Sequence, residues 1–345
     1  MDREKLQKIH IKKKRILITG GAGLLGSSLA SYLKKNYTVF LGLNNQNIFL
    51  KDVKKKFLKY NQPKLLEKQI LKINPHIIIN CIGLSSVENC EKNKSLAVKS
   101  NIKIPVILSK VSNKYKIRYY HISTDHLYNG YKRIYNERNK VSPLNFYAKT
   151  KHFAEKKILK SNKNAFIIRT NFFCFGKGRN KSFSDKIIET IKKGKKIELF
   201  YDVKYTPISV KYLSYIIEKS FKKKISGIFN ISSENTISKY SFGISIAETF
   251  NLDKNLIIPI NIRDKNLTAR PLNMSLDGKL ISKKLNVNQI NTNKMIGELK
   301  NDFENKNNLI PYGKHTINNE DINEVVRTLR SGHLTQGPKI NELED

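Results

Sequence analysis

The chain has 345 residues, 39% of them hydrophobic, and sets 65 Lys and Arg against 28 Asp and Glu for a formal net charge of +37. That length suffices for one large or two modest domains with a real core. No apolar run reaches the roughly 18 residues of a membrane helix, no signal-type segment follows the charged start Met1-Asp2-Arg3-Glu4-Lys5, and three scattered cysteines (Cys81, Cys90, Cys174) argue against a disulfide framework or a metal site. A reducing cytoplasm is the expected compartment. The charge invites a nucleic-acid reading, yet the lysines are spread over nearly every segment and no basic-aromatic motif accompanies them. A solvated surface is favoured, with no specific nucleic acid and no membrane as partner, and its field can draw in anionic ligands.

In chain order, an apolar run Arg15–Thr19 enters glycines at 20, 23 and 26, followed by a helical pattern over about 24–35. Further strand-like runs at Thr38–Leu43, His76–Cys81, Arg118–Ser123 and Ala165–Thr170 alternate with helical patterns over about 63–73, 95–113 and 146–160. Asn74-Pro75 and Ser142-Pro143 punctuate the chain as turns. The alternation predicts an α/β fold on a doubly wound parallel sheet. It weakens from about residue 176, although Gly227-Ile228-Phe229-Asn230-Ile231 reads as a strand returning to the sheet.

Two motifs carry chemistry. In Ile16-Leu17-Ile18-Thr19-Gly20-Gly21-Ala22-Gly23-Leu24-Leu25-Gly26 a strand meets glycines and then a helix. Glycine permits the tight turn and close backbone approach, and the helix start offers free N–H groups to a pyrophosphate. Farther on, Tyr147 and Lys151 stand at i and i+4 and share one helix face. A phenol has a pKa of about 10, and lowering it by roughly three units takes about 4 kcal/mol of preferential phenolate stabilisation. One ammonium about 4 Å away at an effective dielectric of about 20 supplies a comparable amount. The spacing suits a proton donor tuned by a neighbouring cation.

The spacing of Gly20, Gly23 and Gly26 after Thr19, together with Tyr147-x-x-x-Lys151, resembles the extended short-chain dehydrogenase/reductases. The likeness covers about residues 14–290 and sharpens toward the dTDP-4-dehydrorhamnose reductase branch. It is carried by Ile79-Asn80-Cys81-Ile82-Gly83, Ile122-Ser123-Thr124-Asp125-His126-Leu127-Tyr128, Ser142-Pro143-Leu144-Asn145-Phe146-Tyr147, Ile168-Arg169-Thr170-Asn171 and Arg270-Pro271-Leu272-Asn273-Met274-Ser275. The resemblance implies a Rossmann domain over 14–175 and a smaller interleaved substrate lobe over 176–300, after a basic extension over 1–13 and before a linker and tail over 301–345.

It also implies roles. Thr124 would hydrogen-bond a substrate carbonyl oxygen, with Ser123 an adjacent alternative, and Tyr147 would protonate that oxygen as hydride reaches the carbon. Lys151 would hold the nicotinamide ribose and depress the tyrosine. Gly20, Gly23, Leu24, Leu25, Gly26, Asn44, Cys81, Ile82, Gly83 and Asn101, with Tyr147 and Lys151, would line the cofactor site. Asn101 reads equally as a surface asparagine. Asp125, His126, Phe172 and Arg270 fall where the family meets the nucleotide sugar; Phe172 fits core packing as well, and Arg270 fits a surface salt bridge. Leu43-Asn44-Asn45 offers no carboxylate for the ribose hydroxyls. With Lys51 and Lys54 nearby, NADP is favoured over NAD. Lys59-Tyr60 departs from an acidic residue common near the adenine, and His126 stands where dehydratases carry Glu.

The expected activity is reduction of a nucleotide-linked keto-deoxysugar, in surface-polysaccharide sugar biosynthesis. The alternatives are an epimerase of the same superfamily, which recycles its hydride, and a non-catalytic regulatory subunit such as one that serves methionine adenosyltransferase. A homodimer stays open. Residues 311–345 differ in kind, with four basic and six acidic residues. From Ile310-Pro311-Tyr312-Gly313 to Gly337-Pro338 they resemble the opening of PLP-dependent sugar-nucleotide aminotransferases, whose Schiff-base lysine lies far downstream. A truncated fusion is favoured over a docking tail. Proteolysis near Asn305–Asn308 should then release the tail and leave reductase activity unchanged.

Overall fold

The computed structural model describes residues 13–176, 181–307 and 319–330. Residues 1–12 of the basic extension over 1–13 and most of the aminotransferase-like tail lie outside the described residues. The chain divides into two units, one ending at Lys300 and one beginning at Asn301.

In the first unit, seven parallel strands form one sheet. In chain order they are β1 (Arg15–Thr19), β2 (Thr38–Leu43), β3 (Lys54–Phe57), β4 (Ile77–Asn80), β5 (Arg118–Ile122), β6 (Phe166–Arg169) and the returning strand Gly227–Asn230. Their spatial order is Gly227–Asn230, β6, β5, β4, β1, β2, β3. The order reverses between β1 and β4, so a crevice opens outside their carboxyl ends. Helices cover both faces, which is why the central strands read as unbroken apolar runs. Side chains alternate along each strand. Ile16, Ile18, Ile77, Ile79 and Ile168 join the core on one face; Leu17, Ile78 and Ile167 join the core on the other.

Helix α1 (Leu24–Leu33) buries Leu25, Leu29 and Leu33 at four-residue spacing. Each fully buried leucine contributes about 1.5–3 kcal/mol of apolar burial. Helix α2 (Pro63–Ile73) starts at a proline and buries Leu66, Ile70 and Ile73. It stops at Asn74, whose left-handed φ of 50° lets its N–H close on Ile70 O at 2.9 Å.

A helix not expected from the sequence, α3 (Val87–Lys92), comes first, and the expected continuous helix over 95–113 is instead a series: α4 (Lys94–Val98), a π-helical turn (Lys99–Lys103) and α5 (Ile104–Lys114). The Asn93 side chain caps α4 by accepting from Leu96 N at 2.9 Å, which separates it from α3. Helix α6 (Phe146–Ser161) follows β5 and carries the Tyr-Lys pair. Beyond it, Ile197–Phe200 pairs with Ile257–Ile260 beneath helices Phe183–Lys192 and Lys239–Thr249, forming the smaller lobe.

In the second unit, Asn319–Arg330 is a helix on which Ile322, Val325, Val326 and Leu329 are exposed. Among the described residues no helix is long and apolar enough to cross a membrane.

Candidate active site

The glycine turn is shaped for close approach. Gly20 has φ +72°, and a Cβ there would stand 2.9 Å from Cys81 C and Ile82 N. A Cβ on Gly26 would meet Gly20 O at 2.4 Å. Gly23 precedes α1 with no capping side chain, and the first turn carries no acid, so its N–H groups remain free for an anion. Leu24 is half-buried and Leu25 is buried against the core, so both would meet a ligand through backbone. Asn44, at the end of β2, is exposed.

Cys81, Ile82 and Gly83 continue β4 into the crevice, and Cys81 N donates to Thr19 O at 3.0 Å. Burial pushes the Cys81 thiol up to about 12, which leaves it an uncharged lining group. Asn101 sits on the π-helical turn and is fully buried, so it is not a surface asparagine. Its Oδ1 accepts from Leu84 N at 2.8 Å, and its Nδ2 donates to Thr150 Oγ1 at 3.0 Å. It ties the loop after Gly83 to α6. A Cβ built on Gly83 would lie 3.2 Å from Asn101 Oδ1 and 4.0 Å from Lys151 Nζ, so these residues meet at one point.

The start of α6 is pinned three ways. Asn145 accepts from Ala148 N at 2.9 Å and donates to Ala269 O at 3.0 Å, while Phe146 N donates to Glu91 Oε1 at 2.7 Å. Tyr147, Lys151 and Glu155 then follow at four-residue spacing, all buried. Thr124 hydrogen-bonds Tyr147, which pulls the phenol down, but burial outweighs it and holds the phenol well above 10. Lys151 does not depress the phenol as the spacing suggested. Its Nζ donates to Ile122 O at 2.6 Å, and burial lowers it to about 8. The reason is tertiary: i and i+4 residues share a face, yet the ammonium is drawn to a strand-end carbonyl.

The Ser123 hydroxyl donates to Glu155 Oε1 at 2.5 Å, so it is committed to the protein and is not the alternative to Thr124. Thr124 Oγ1 donates to Asp125 Oδ1 at 3.2 Å and accepts from His126 N at 3.3 Å. Asp125 also accepts from Asn171 Nδ2 at 2.8 Å. The His126 ring packs edge-on against Tyr147 with centroids 5.7 Å apart, and its Nδ1 is buried without a partner. Burial lowers its pKa and keeps it neutral, with Asp125 opposing. Phe172 is half-buried in a two-residue strand beside Ile208–Ser209 and packs on the core. Arg270 pairs with Glu88 on α3 and donates to Thr268 O, the salt-bridge outcome of its two readings.

Sequence reasoning missed several residues. Lys239 lies 3.4 Å from the Tyr205 ring centroid, and burial lowers it to about 8 against the pull of Asp125. Glu155 and Arg169 form a buried bidentate pair at 3.0 and 2.6 Å, extended by Arg169 Nη1 donating to Tyr128 Oη at 2.8 Å. Glu155 continues the Tyr147-Lys151 spacing by one more turn, a signal that was available. Nothing in the sequence marked Lys239.

The family described as RmlD substrate binding domain matches residues 14–328. Methionine adenosyltransferase 2 subunit beta of Xenopus laevis is 27% identical over 288 residues, covering 80% of this chain and 84% of that protein. A probable low-salt glycan biosynthesis reductase of Haloferax volcanii is 24% identical over 277 residues, covering 79% and 92%. The crystal structure of dTDP-4-dehydrorhamnose reductase from Bacillus anthracis in complex with NADP superimposes with a TM-score of 0.75 at 23% identity, covering 84% of this chain and 99% of that one. That likeness is one of fold.

Proposed function

We propose a function from one premise: the chain belongs to the RmlD substrate binding domain family. It acts as an NAD(P)H-dependent reductase of a nucleotide-linked keto-deoxysugar, in the biosynthesis of surface-polysaccharide sugars. The observation that carries this reading is the contact of Thr124 with Tyr147 one helical turn before Lys151, whose amine stands near Gly83 outside the glycine turn. The names of the Haloferax glycan reductase and of the NADP-bound dTDP-4-dehydrorhamnose reductase support it. A cytoplasmic location belongs to the proposal, and a homodimer is compatible with it.

The residues present fit a dinucleotide. The free N–H groups of α1 and the turn from Gly20 to Gly26 would hold its pyrophosphate, and Cys81, Ile82, Gly83 and Lys151 would hold its nicotinamide end. When bound, the reduced nicotinamide supplies hydride to the carbonyl carbon. Negative charge then grows on the carbonyl oxygen, and donors aimed at that atom must be in place beforehand. Tyr147 gives its phenolic proton there. A phenol held above 10 is fully protonated at neutral pH, so the proton is available. On turning its one hydrogen from Asp125 to the phenol, the Thr124 hydroxyl would lower the cost of the phenolate that remains. Asp125, His126 and Lys239 line the side where the sugar and its diphosphate would lie, and Arg270 would reach the diphosphate only by leaving Glu88.

NADP is the proposed cofactor, because Asn44 and Asn45 are exposed at the end of β2 with no carboxylate between them. Introducing one by Asn44→Asp should shift the NADPH/NADH ratio of kcat/KM at least about tenfold toward NADH, about 1.4 kcal/mol of discrimination. Steady-state kinetics with both cofactors check this.

The test of the whole reading is loss of reduced-nicotinamide absorbance against a panel of nucleotide-linked 4-keto-6-deoxysugars. A second reading, a non-catalytic nucleotide-binding subunit, is favoured by the methionine adenosyltransferase 2 subunit beta relative. Inactivity across the panel, with Tyr147→Phe leaving the cellular role intact, would favour it.

A further inference from the structure

Lys151 is approached from two sides. Its Nζ donates to Ile122 O at 2.6 Å and stands 3.5 Å from Nε2 of His121, a fully buried residue on β5. Which proton His121 carries follows from its other nitrogen. Nδ1 lies 3.0 Å from Asn80 Nδ2. The amide of Asn80 is oriented from its opposite end, where Oδ1 accepts the backbone N–H of Ile82 at 3.2 Å and the Thr19 hydroxyl at 2.7 Å. A backbone N–H can only donate, so the amide oxygen faces Ile82 and the NH2 faces the imidazole. Asn80 therefore donates to Nδ1, and the one hydrogen of the neutral ring sits on Nε2. That hydrogen points at Lys151. A free amine can accept it, whereas an ammonium has no lone pair to do so.

We propose that His121, locked by Asn80 in its Nε2–H form, is a positioning residue for Lys151 that favours the free amine over the ammonium in the ligand-free protein. The catalytic meaning of this rests on the reductase reading above; the tautomer does not. Another group near the amine pulls the opposite way. Glu155, one turn farther along α6, favours the charged form, while burial opposes it and the neighbouring Cys81 and Cys90 thiols stay uncharged. Tyr147 lies one turn before on the same helix. Through Asn80 the device is tied to Ile82 N, the backbone against which Gly20 packs. The charge on Lys151 thus depends on the same turn that receives the dinucleotide.

The tautomer is read by long-range 15N–1H spectra of the 15N-histidine-labelled, ligand-free full chain, with His121 assigned by its loss in His121→Phe. The expected result is Nε2–H between pH 6 and 9, and a switch to Nδ1–H in Asn80→Asp, whose carboxylate only accepts. In the reductase assay, activity should fall as pH rises through the Lys151 titration. Both variants should move that alkaline limb upward by about one pH unit, because the donor facing the amine is gone. If no sugar is reduced, the pH dependence of NADPH binding, followed by nicotinamide fluorescence, replaces the rate profile in the same variants. That outcome would weaken the reductase reading alone. An Nδ1–H tautomer in the native chain overturns the proposal, as does an unmoved limb in Asn80→Asp. Should His121→Phe fail to fold, Asn80→Asp and the native spectrum still decide.

Discussion

Tyr147→Phe should lower keto-sugar reduction by about a hundred- to ten-thousand-fold, the usual worth of a positioned proton donor. The ring keeps its buried place and its edge-on contact with His126, so folding should change little. NADPH affinity should stay within a few-fold, since Lys151 bonds Ile122 O and not the phenol. Thr124→Val, which removes one hydrogen-bonding hydroxyl, should cost about a hundred-fold or more. Stopped-flow single turnovers with saturating NADPH separate this loss from binding. A Tyr147→Phe enzyme within about tenfold of the native rate would remove the phenol from the chemistry.

The largest expected effect on stability lies at Glu155. The residue is 1% exposed, and its carboxylate accepts from Arg169 at 3.0 and 2.6 Å and from Ser123 at 2.5 Å. Glu155→Gln leaves the guanidinium buried without its counter-charge, which costs about 3–5 kcal/mol. Replacing both partners by apolar residues of similar volume should cost much less, because no buried charge is orphaned. Urea unfolding of the native chain, Glu155→Gln and the Glu155→Leu, Arg169→Met pair measures the contrast. Equal losses in single and double variants would mean that packing, not charge, matters here. Reduced activity in Glu155→Gln at unchanged NADPH affinity is also expected, since Ser123 adjoins Thr124.

Much of this architecture was legible beforehand, for identifiable reasons. Strands β1 and β2 fall at the residues expected, because apolar runs bounded by turn residues admit few other placements. Strand β3 escaped notice. Its Lys54-Lys55-Lys56-Phe57 is exposed throughout and is held by pairing with β2, so it carries no apolar signal, and the lysines suit an edge strand. The positions of Tyr147 and Lys151 could be read from spacing, but the direction of the phenol's shift could not, since burial is set by residues far away in the chain. Ser123 and Thr124 look interchangeable in sequence. Only the approach of Glu155 separates them. Arg270 found its partner in Glu88, 182 positions distant, which no local pattern reveals.

The wide turn at Lys99–Lys103 has a consequence for alignment and engineering. Each residue of a regular helix advances the side-chain direction by about 100°, so a turn that closes five residues back instead of four offsets everything after it. That offset lets Asn101 aim at the Gly83 loop while Ile104, Leu108 and Val111 still face the sheet. Deleting one residue would restore a regular spiral and force a choice between crevice and core. A homologue lacking that residue must brace the loop by other means, so a single gap here marks a differently built floor.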